Sequence, residues 1–268
     1  MSAKIAVWAG ILYACTLVIA WLGQRWLMYF PDRSRVSPRA VGLTGVEERV
    51  LATPDGEQLV VWRAMAQPGR PTLLYFHGNA GGLENRAERF QRYQAIGFGI
   101  YAPAYRGYAG STGSPSEAAI MRDARLAYRA LVDEGVRPED IVLYGESLGS
   151  GVAVDLAAEK PVGAVVLDAP YASVVEIGAG RYPFLPVRWL LTDRYESDQL
   201  IGRVKAPVLV LQGALDRVVP PASGAKLYEL AHEPKRLIVY PKGGHSDLDQ
   251  HGAVDDVRQW LAQVLGNG

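Results

Sequence analysis

Leu143-Tyr144-Gly145-Glu146-Ser147-Leu148-Gly149 is the stretch that decides the fold. It sets a GxSxG pentapeptide between an aliphatic run at 141–144 and an Ala-rich helical pattern at 148–159. With 29 glycines in the chain the pentapeptide alone is unspecific, so the strand before it and the helix after it supply the discrimination. A turn this tight needs glycine on both sides of the serine, because neighbours pack close and the serine takes a strained backbone conformation. Ser147 is then expected exposed at the C-terminal edge of a sheet, with the N–H of Leu148 at a helix N-terminus. The alternative is an ordinary strand-to-helix turn.

Outward from this turn, short β-branched runs alternate with longer amphipathic stretches, the pattern of a parallel sheet with crossover helices. Strands are predicted at 72–76, 99–102, 141–144, 164–167, 208–211 and 237–240, preceded by a hairpin whose arms, around 48–53 and 58–63, flank Pro54-Asp55-Gly56. Helices are predicted near 84–96, 116–134, 148–159, 221–231 and 252–265, the second opened by Ser114-Pro115-Ser116-Glu117 as a capping box with Pro at the first helical position. Residues 171–206 are about twice as long as a normal connection and carry Tyr182, Phe184, Leu185, Trp189, Leu190 and Leu191. They are expected to form a short cap-like insertion over one end of the sheet, lining an acyl pocket, resting on lipid or forming ordinary core.

Composition narrows the function. Lys+Arg and Asp+Glu both number 28, which leaves no net charge to hold a nucleic acid by counterion release. Cys15 is the single cysteine, which removes intrachain disulfides, CxxC redox chemistry and cysteine-based zinc sites. Residues 5–23, IAVWAGILYACTLVIAWLG, carry no charge and as a helix would be about 28 Å long, close to the thickness of a bilayer core. A cleaved signal peptide should have a shorter apolar region and a small-x-small site before Gln24, so a retained single-pass anchor is expected. The chain divides into an anchor and juxtamembrane segment, 1–30, and one catalytic domain, 31–268. Trp21, Trp26 and Tyr29 would form an interfacial belt, and Arg25, Arg33, Arg35 and Arg39 against Lys4 predict a cytoplasmic domain.

A serine hydroxyl needs a base, to be found among His77, His232, His245 and His251. His245, in Gly243-Gly244-His245-Ser246-Asp247, follows the last predicted strand on a flexible loop at the edge where Ser147 should lie. His232 ends a helix, His251 precedes the C-terminal one, and His77 belongs to another loop. Asp216 follows the 208–211 strand and would orient the imidazole, giving the chain order serine, acid, histidine; Asp168, after the 164–167 strand, is the rival acid. His77-Gly78-Asn79-Ala80-Gly81-Gly82 follows the 72–76 strand, where an oxyanion hole needs backbone N–H groups, and the expected donors are those of Asn79 and Leu148. No GK[ST] follows this glycine run, which argues against a phosphate loop. Asp247 and Asp249 on one polar loop are expected to be solvated; no metal and no cofactor is expected.

The motifs FHGNAGG, PAYRGYAGSTGSPSE, GESLGS, LQGALDRVVP and GGHSD, in this order, identify what the chain resembles. It is similar to α/β-hydrolases, specifically to the small alpha/beta-hydrolase domain-containing proteins with an N-terminal membrane anchor, over nearly everything from Arg25 onward. The resemblance implies an α/β-hydrolase fold with a mostly parallel central sheet flanked by helices. It gives Ser147 as nucleophile, Asp216 as acid and His245 as base, and makes Tyr105-Arg106-Gly107 a structural hallmark. It implies cofactor-free hydrolysis of carboxylic esters, thioesters or occasionally peptide bonds. The expected substrate is a small-molecule or lipid acyl ester or an acylated protein, with membrane lipid met through the N-terminal helix. A peptidase would need an anchor for a peptide terminus, and Arg181, Arg188 and Arg194 of the insertion form no cluster in sequence. A non-catalytic membrane-bound scaffold is the reading from a different class.

Overall fold

A computed structural model describes residues 3–266. The apolar runs become eight strands: β1 (Glu47–Ala52), β2 (Gln58–Ala64), β3 (Thr72–Phe76), β4 (Gly99–Pro103), β5 (Ile141–Glu146), β6 (Ala164–Asp168), β7 (Val208–Gly213) and β8 (Lys235–Tyr240). Their order across the sheet is β8-β7-β6-β5-β3-β4-β2-β1. The neighbours from β8 to β4 pair in parallel, while β2 is antiparallel to both β4 and β1. β3, β4, β5, β6 and β7 are buried almost throughout, as strands covered on both faces must be, and their aliphatic runs do not alternate.

The cover is helical. Described helices are α1 (Ala3–Met28), α2 (Ala87–Ala95), α3 (Glu117–Asp133), α4 (Leu148–Ala157), α5 (Val174–Arg181), α6 (Val187–Leu190), α7 (Ser197–Leu200), α8 (Pro221–Leu230) and α9 (Ala253–Leu265). α2 packs with α9; α3 packs with α4, α4 with α7, and α7 with α8, which separates the helices into two layers. Strand order reverses between β5 and β3, so the loops leaving their C-terminal ends diverge and open a crevice there.

One helix start differs from expectation. Ser116, not Ser114, caps α3, its hydroxyl accepting from the N–H of Ala119 at 3.3 Å. Glu117 thereby falls in the first turn, where its carboxylate accepts the N–H groups of Arg194 (2.6 Å) and Tyr195 (2.9 Å) and ties the insertion to the domain.

The insertion itself consists of α5, α6 and α7 with their connections. α1 is long and apolar enough to cross a membrane, with a mean hydropathy of 2.2 over its best 18-residue window, and none of its residues is buried. Its C-terminal end is nevertheless fastened to the domain. Arg25 forms a two-point ion pair with the buried Asp193 (2.9 and 3.1 Å), and Tyr29, itself buried, bonds Asp193 (3.1 Å) and Tyr195 (3.0 Å). Phe30–Pro31 then pairs in parallel with Ala80–Gly81.

Candidate active site

The turn after β5 shows why this sequence is what it is. Ser147 has φ 49° and ψ −113°, a left-handed conformation that non-glycine residues rarely adopt. A Cβ on Gly149 would lie 2.0 Å from the Phe76 carbonyl oxygen, and one on Gly145 would lie 2.5 Å from the Gly149 carbonyl oxygen. Neither position can carry a side chain while α4 stays against β5 and β3. The turn is locked further by the N–H of Ser147, which donates to the Asp168 carbonyl at 2.8 Å.

Two more loops converge on it from neighbouring strand ends. The loop after β7 brings Asp216, whose Oδ1 accepts the N–H groups of Val218 (2.8 Å) and Val219 (2.9 Å). The loop after β8 brings His245 and crosses so near that a Cβ on Gly213 would meet the Gly244 carbonyl oxygen at 2.1 Å. The N–H of Leu215 donates to Gly243 at 2.9 Å, which holds the two loops together. As a result Ser147 Oγ lies 2.8 Å from His245 Nε2, and His245 Nδ1 lies 2.8 Å from Asp216 Oδ2. Burial opposes charge on Asp216, yet its hydrogen bonds from His245 and from the Val219 and Val218 amides hold the carboxyl below its ordinary value. It is therefore an acceptor fixed in its charged form beside the imidazole.

The rival acid is elsewhere. Asp168 ends β6 fully buried, bonded to Tyr144 Oη (2.9 Å) and paired with Arg89 (2.8 Å). Burial raises its carboxyl to about 6, outweighing the attraction of Arg89, with Asp249 and Glu146 adding like charge. The other histidines are also accounted for. His232 Nε2 faces the Gly202 carbonyl (2.7 Å), and His251 stands 3.9 Å from Asp247 in the turn before α9. The loop carboxylates expected to be solvated have protein partners: Asp247 accepts the Gly244 N–H (2.7 Å) and Asp249 accepts Arg89 Nε (2.6 Å).

Opposite the serine runs the loop after β3. His77 is buried, its Nδ1 2.7 Å from the Gly78 carbonyl while its Nε2 accepts the Tyr105 N–H at 3.1 Å. This makes it a neutral tautomer with both nitrogens used. Tyr108 Oη bonds the Asn79 carbonyl (2.9 Å), and Asn79 Nδ2 donates to the Met28 carbonyl. Among the described residues neither the Asn79 N–H nor the Leu148 N–H has a protein acceptor, and both residues line the same cavity as Ser147. Arg106 of the Tyr105-Arg106-Gly107 hallmark is buried between Asp123 (2.7 Å) and Asp55 (2.7 Å), away from that cavity.

Beneath the serine lies a charged cluster that none of the sequence motifs marks. Glu146 is clasped by Arg86 (2.8 and 3.0 Å) and accepts from Tyr75 Oη (2.5 Å), while Arg89 joins Asp168 to Asp249. Burial disfavours charge on Glu146, but Arg86 and Arg89 hold it well below the usual carboxylate range. The available signal is in α2 and the turn before it: Arg86 and Arg89 are spaced one turn apart beside the buried Phe90 and Tyr93, so they point inward.

The cavity measures about 1000 Å³, at the upper end of the range for small-molecule sites. α1 and the insertion give it apolar walls, including Ala20, Leu27, Ile177, Leu185 and Leu190, whereas α2 and the 245–250 loop give it charged ones.

Comparison with known proteins places this geometry in context. Residues 71–199 match the sequence family described as the alpha/beta hydrolase fold. An uncharacterized protein of Mycobacterium tuberculosis is 40% identical over 258 residues, covering 93% of this chain and 92% of the relative. Human alpha/beta hydrolase domain-containing protein 17B is 28% identical over 261 residues, 94% of this chain and 88% of its own. The solved Pyrococcus furiosus esterase Pf2001 superposes with a TM-score of 0.72 at 18% identity, covering 88% of this chain and 99% of the esterase, a likeness of fold.

Proposed function

Because this chain belongs to the alpha/beta hydrolase family, we propose that it is a serine hydrolase cleaving acyl esters or thioesters through an acyl-enzyme on Ser147. The observation that carries this reading is the single line of hydrogen bonds from Ser147 Oγ through His245 to Asp216, each 2.8 Å, opening on an apolar cavity. A strained serine at a helix N-terminus, flanked by glycines that cannot be replaced, has no structural purpose that an ordinary turn would not serve better.

In the proposed reaction His245 Nε2 takes the proton of Ser147 as its Oγ attacks the carbonyl carbon. Nδ1–H donates to Asp216, which fixes the tautomer and stabilises the imidazolium. The carbonyl oxygen becomes an oxyanion facing the N–H groups of Asn79 and Leu148. Collapse expels the alcohol or thiol, which leaves with the proton from His245. Water then gives its proton to His245 and attacks the acyl-enzyme, releasing the carboxylic acid and restoring the serine. No cofactor or metal is required in this scheme. The apolar walls favour a small-molecule or lipid acyl ester, or an acylated protein, over a peptide. α1 would be a retained anchor, with the arginines that follow it holding the domain on the cytoplasmic side.

The test is Ser147→Ala in the full-length protein. Hydrolysis of p-nitrophenyl acetate should fall by about 10³-fold or more, and a fluorophosphonate probe should label Ser147 in the wild type only. Unchanged turnover in the variant, or labelling of a different serine, would remove the proposal.

A further inference from the structure

α1 does more than carry the domain on a tether. Its half-buried residues are Leu17, Ala20, Gly23, Gln24 and Met28, spaced as one helical face, while Trp8, Leu12, Ile19 and Leu22 on the other faces are at least 70% exposed. That single face lies on the insertion. Gln24 Oε1 accepts both the N–H (2.7 Å) and the Oγ1–H (2.9 Å) of Thr192, and its Nε2 donates to the Leu190 carbonyl at 3.3 Å. Higher up, Tyr13 Oη donates to the Phe184 carbonyl at 3.0 Å, and Tyr13 stands midway along the uncharged run 5–23. The tip of the insertion therefore shares the depth of the helix midpoint. Phe184 and Trp189 on that tip are 64% and 91% exposed, continuing the apolar outer surface of α1.

Between these two elements runs the cavity that holds Ser147. Ala20, Leu27 and Met28 line it from α1, and Leu185, Leu190 and Leu191 line it from the insertion. From Ala20 to Met28 the wall rises about 12 Å along the helix axis. Ala20, at the far end of that wall, contributes only a methyl group to the cavity.

We propose that the face of α1 bearing Ala20 is the wall of the acyl-chain site, so that the chain of a bilayer-resident substrate lies between the membrane helix and the insertion and Ala20 sets how long it can be. This deepens the serine hydrolase reading and rests on it. The acyl chain stays in an apolar surround from leaflet to Ser147, while the leaving group faces the charged walls from α2 and the 245–250 loop. A helix that served only as an anchor would show no such stripe of contacts, because lipid surrounds it evenly.

The test uses the full-length chain in nanodiscs and the ratio of kcat/KM on p-nitrophenyl dodecanoate to that on the acetate. Ala20→Phe places a ring against the cavity at that end and should lower this ratio by about tenfold or more. Leu190→Phe, from the opposite wall, should lower it in the same direction and serves if the first variant does not fold. Ile19→Phe, on the lipid face, is the control and should leave the ratio at the wild-type value. If the wild type hydrolyses both esters and labels with fluorophosphonate at Ser147, but the two cavity variants move the ratio no more than Ile19→Phe, the acyl-wall assignment is overturned and the hydrolase reading stands. If the wild type neither hydrolyses these esters nor labels, both fall together.

Discussion

His245 Nδ1 and Asp216 Oδ2 stand 2.8 Å apart across two loops, whereas Asp168, the acid on the adjoining strand end, is held by Arg89 and Tyr144. Only a carboxylate at the first position can fix the imidazole tautomer and offset its positive charge. Asp216→Asn should therefore lower kcat on a soluble ester by about 10³-fold or more, while Asp168→Asn should cost less than about tenfold and act mainly on stability. Steady-state rates with matched thermal melts decide the point. The reverse ranking would assign the acid to Asp168.

The charged cluster under the serine gives a second expectation. Glu146 and Arg86 are largely buried, and removing one partner leaves the other charged without compensation, which typically costs 3–5 kcal/mol. Glu146→Gln should lower Tm by roughly 6–20 °C, at about 2–4 °C per kcal/mol for a domain of this size. The double variant Glu146→Gln/Arg86→Met removes both charges and should melt above the single one. A single variant as stable as the wild type would mean that the pair contributes little.

These two cases mark what could be read from the sequence. The strands, the turn at Ser147 and the chain order leading to Asp216 and His245 are written locally, in aliphatic runs and glycines whose consequences reach only a few residues. The Glu146 cluster is not, because its bonded partners are as much as 160 positions apart and meet only when α2 packs beside β5 and the 245–250 loop. α1 is harder still. Its residues are apolar on every side, so hydropathy marks a membrane-length helix but no preferred face; the face is set by Asp193, Thr192 and Tyr195, far along the chain. The α3 cap shifted by two residues for a related reason. Glu117 has distant amides to satisfy, and local capping rules do not register them.

The last expectation concerns acid. His77 joins the loop after β3 to the Tyr105 segment as a neutral imidazole, donating from Nδ1 to Gly78 and accepting at Nε2 from Tyr105. Burial, reinforced by the positive charge of Arg86, lowers its pKa from 6.5 to about 3. The unfolded chain binds a proton to this residue near pH 6.5, and the folded chain does not until about pH 3. The stabilisation from the neutral form is thus fully present above pH 6.5 and is lost as pH falls through that window. At 1.36 kcal/mol per pH unit, His77 should cost the fold about 2 kcal/mol between neutrality and pH 5. Protonation would also turn Nε2 from acceptor to donor against the Tyr105 N–H, so the penalty has a geometric cause as well. His77→Gln should be less stable than wild type at pH 7.5, since glutamine cannot span both partners in one ring geometry. Between pH 7.5 and pH 5, however, the variant should lose about 2 kcal/mol less than the wild type does. Glu146 and Asp168 titrate in both proteins and cancel in the comparison. Urea unfolding of the two proteins at both pH values measures the difference directly, and parallel losses would show that the imidazole is protonated in the fold or does not report on it.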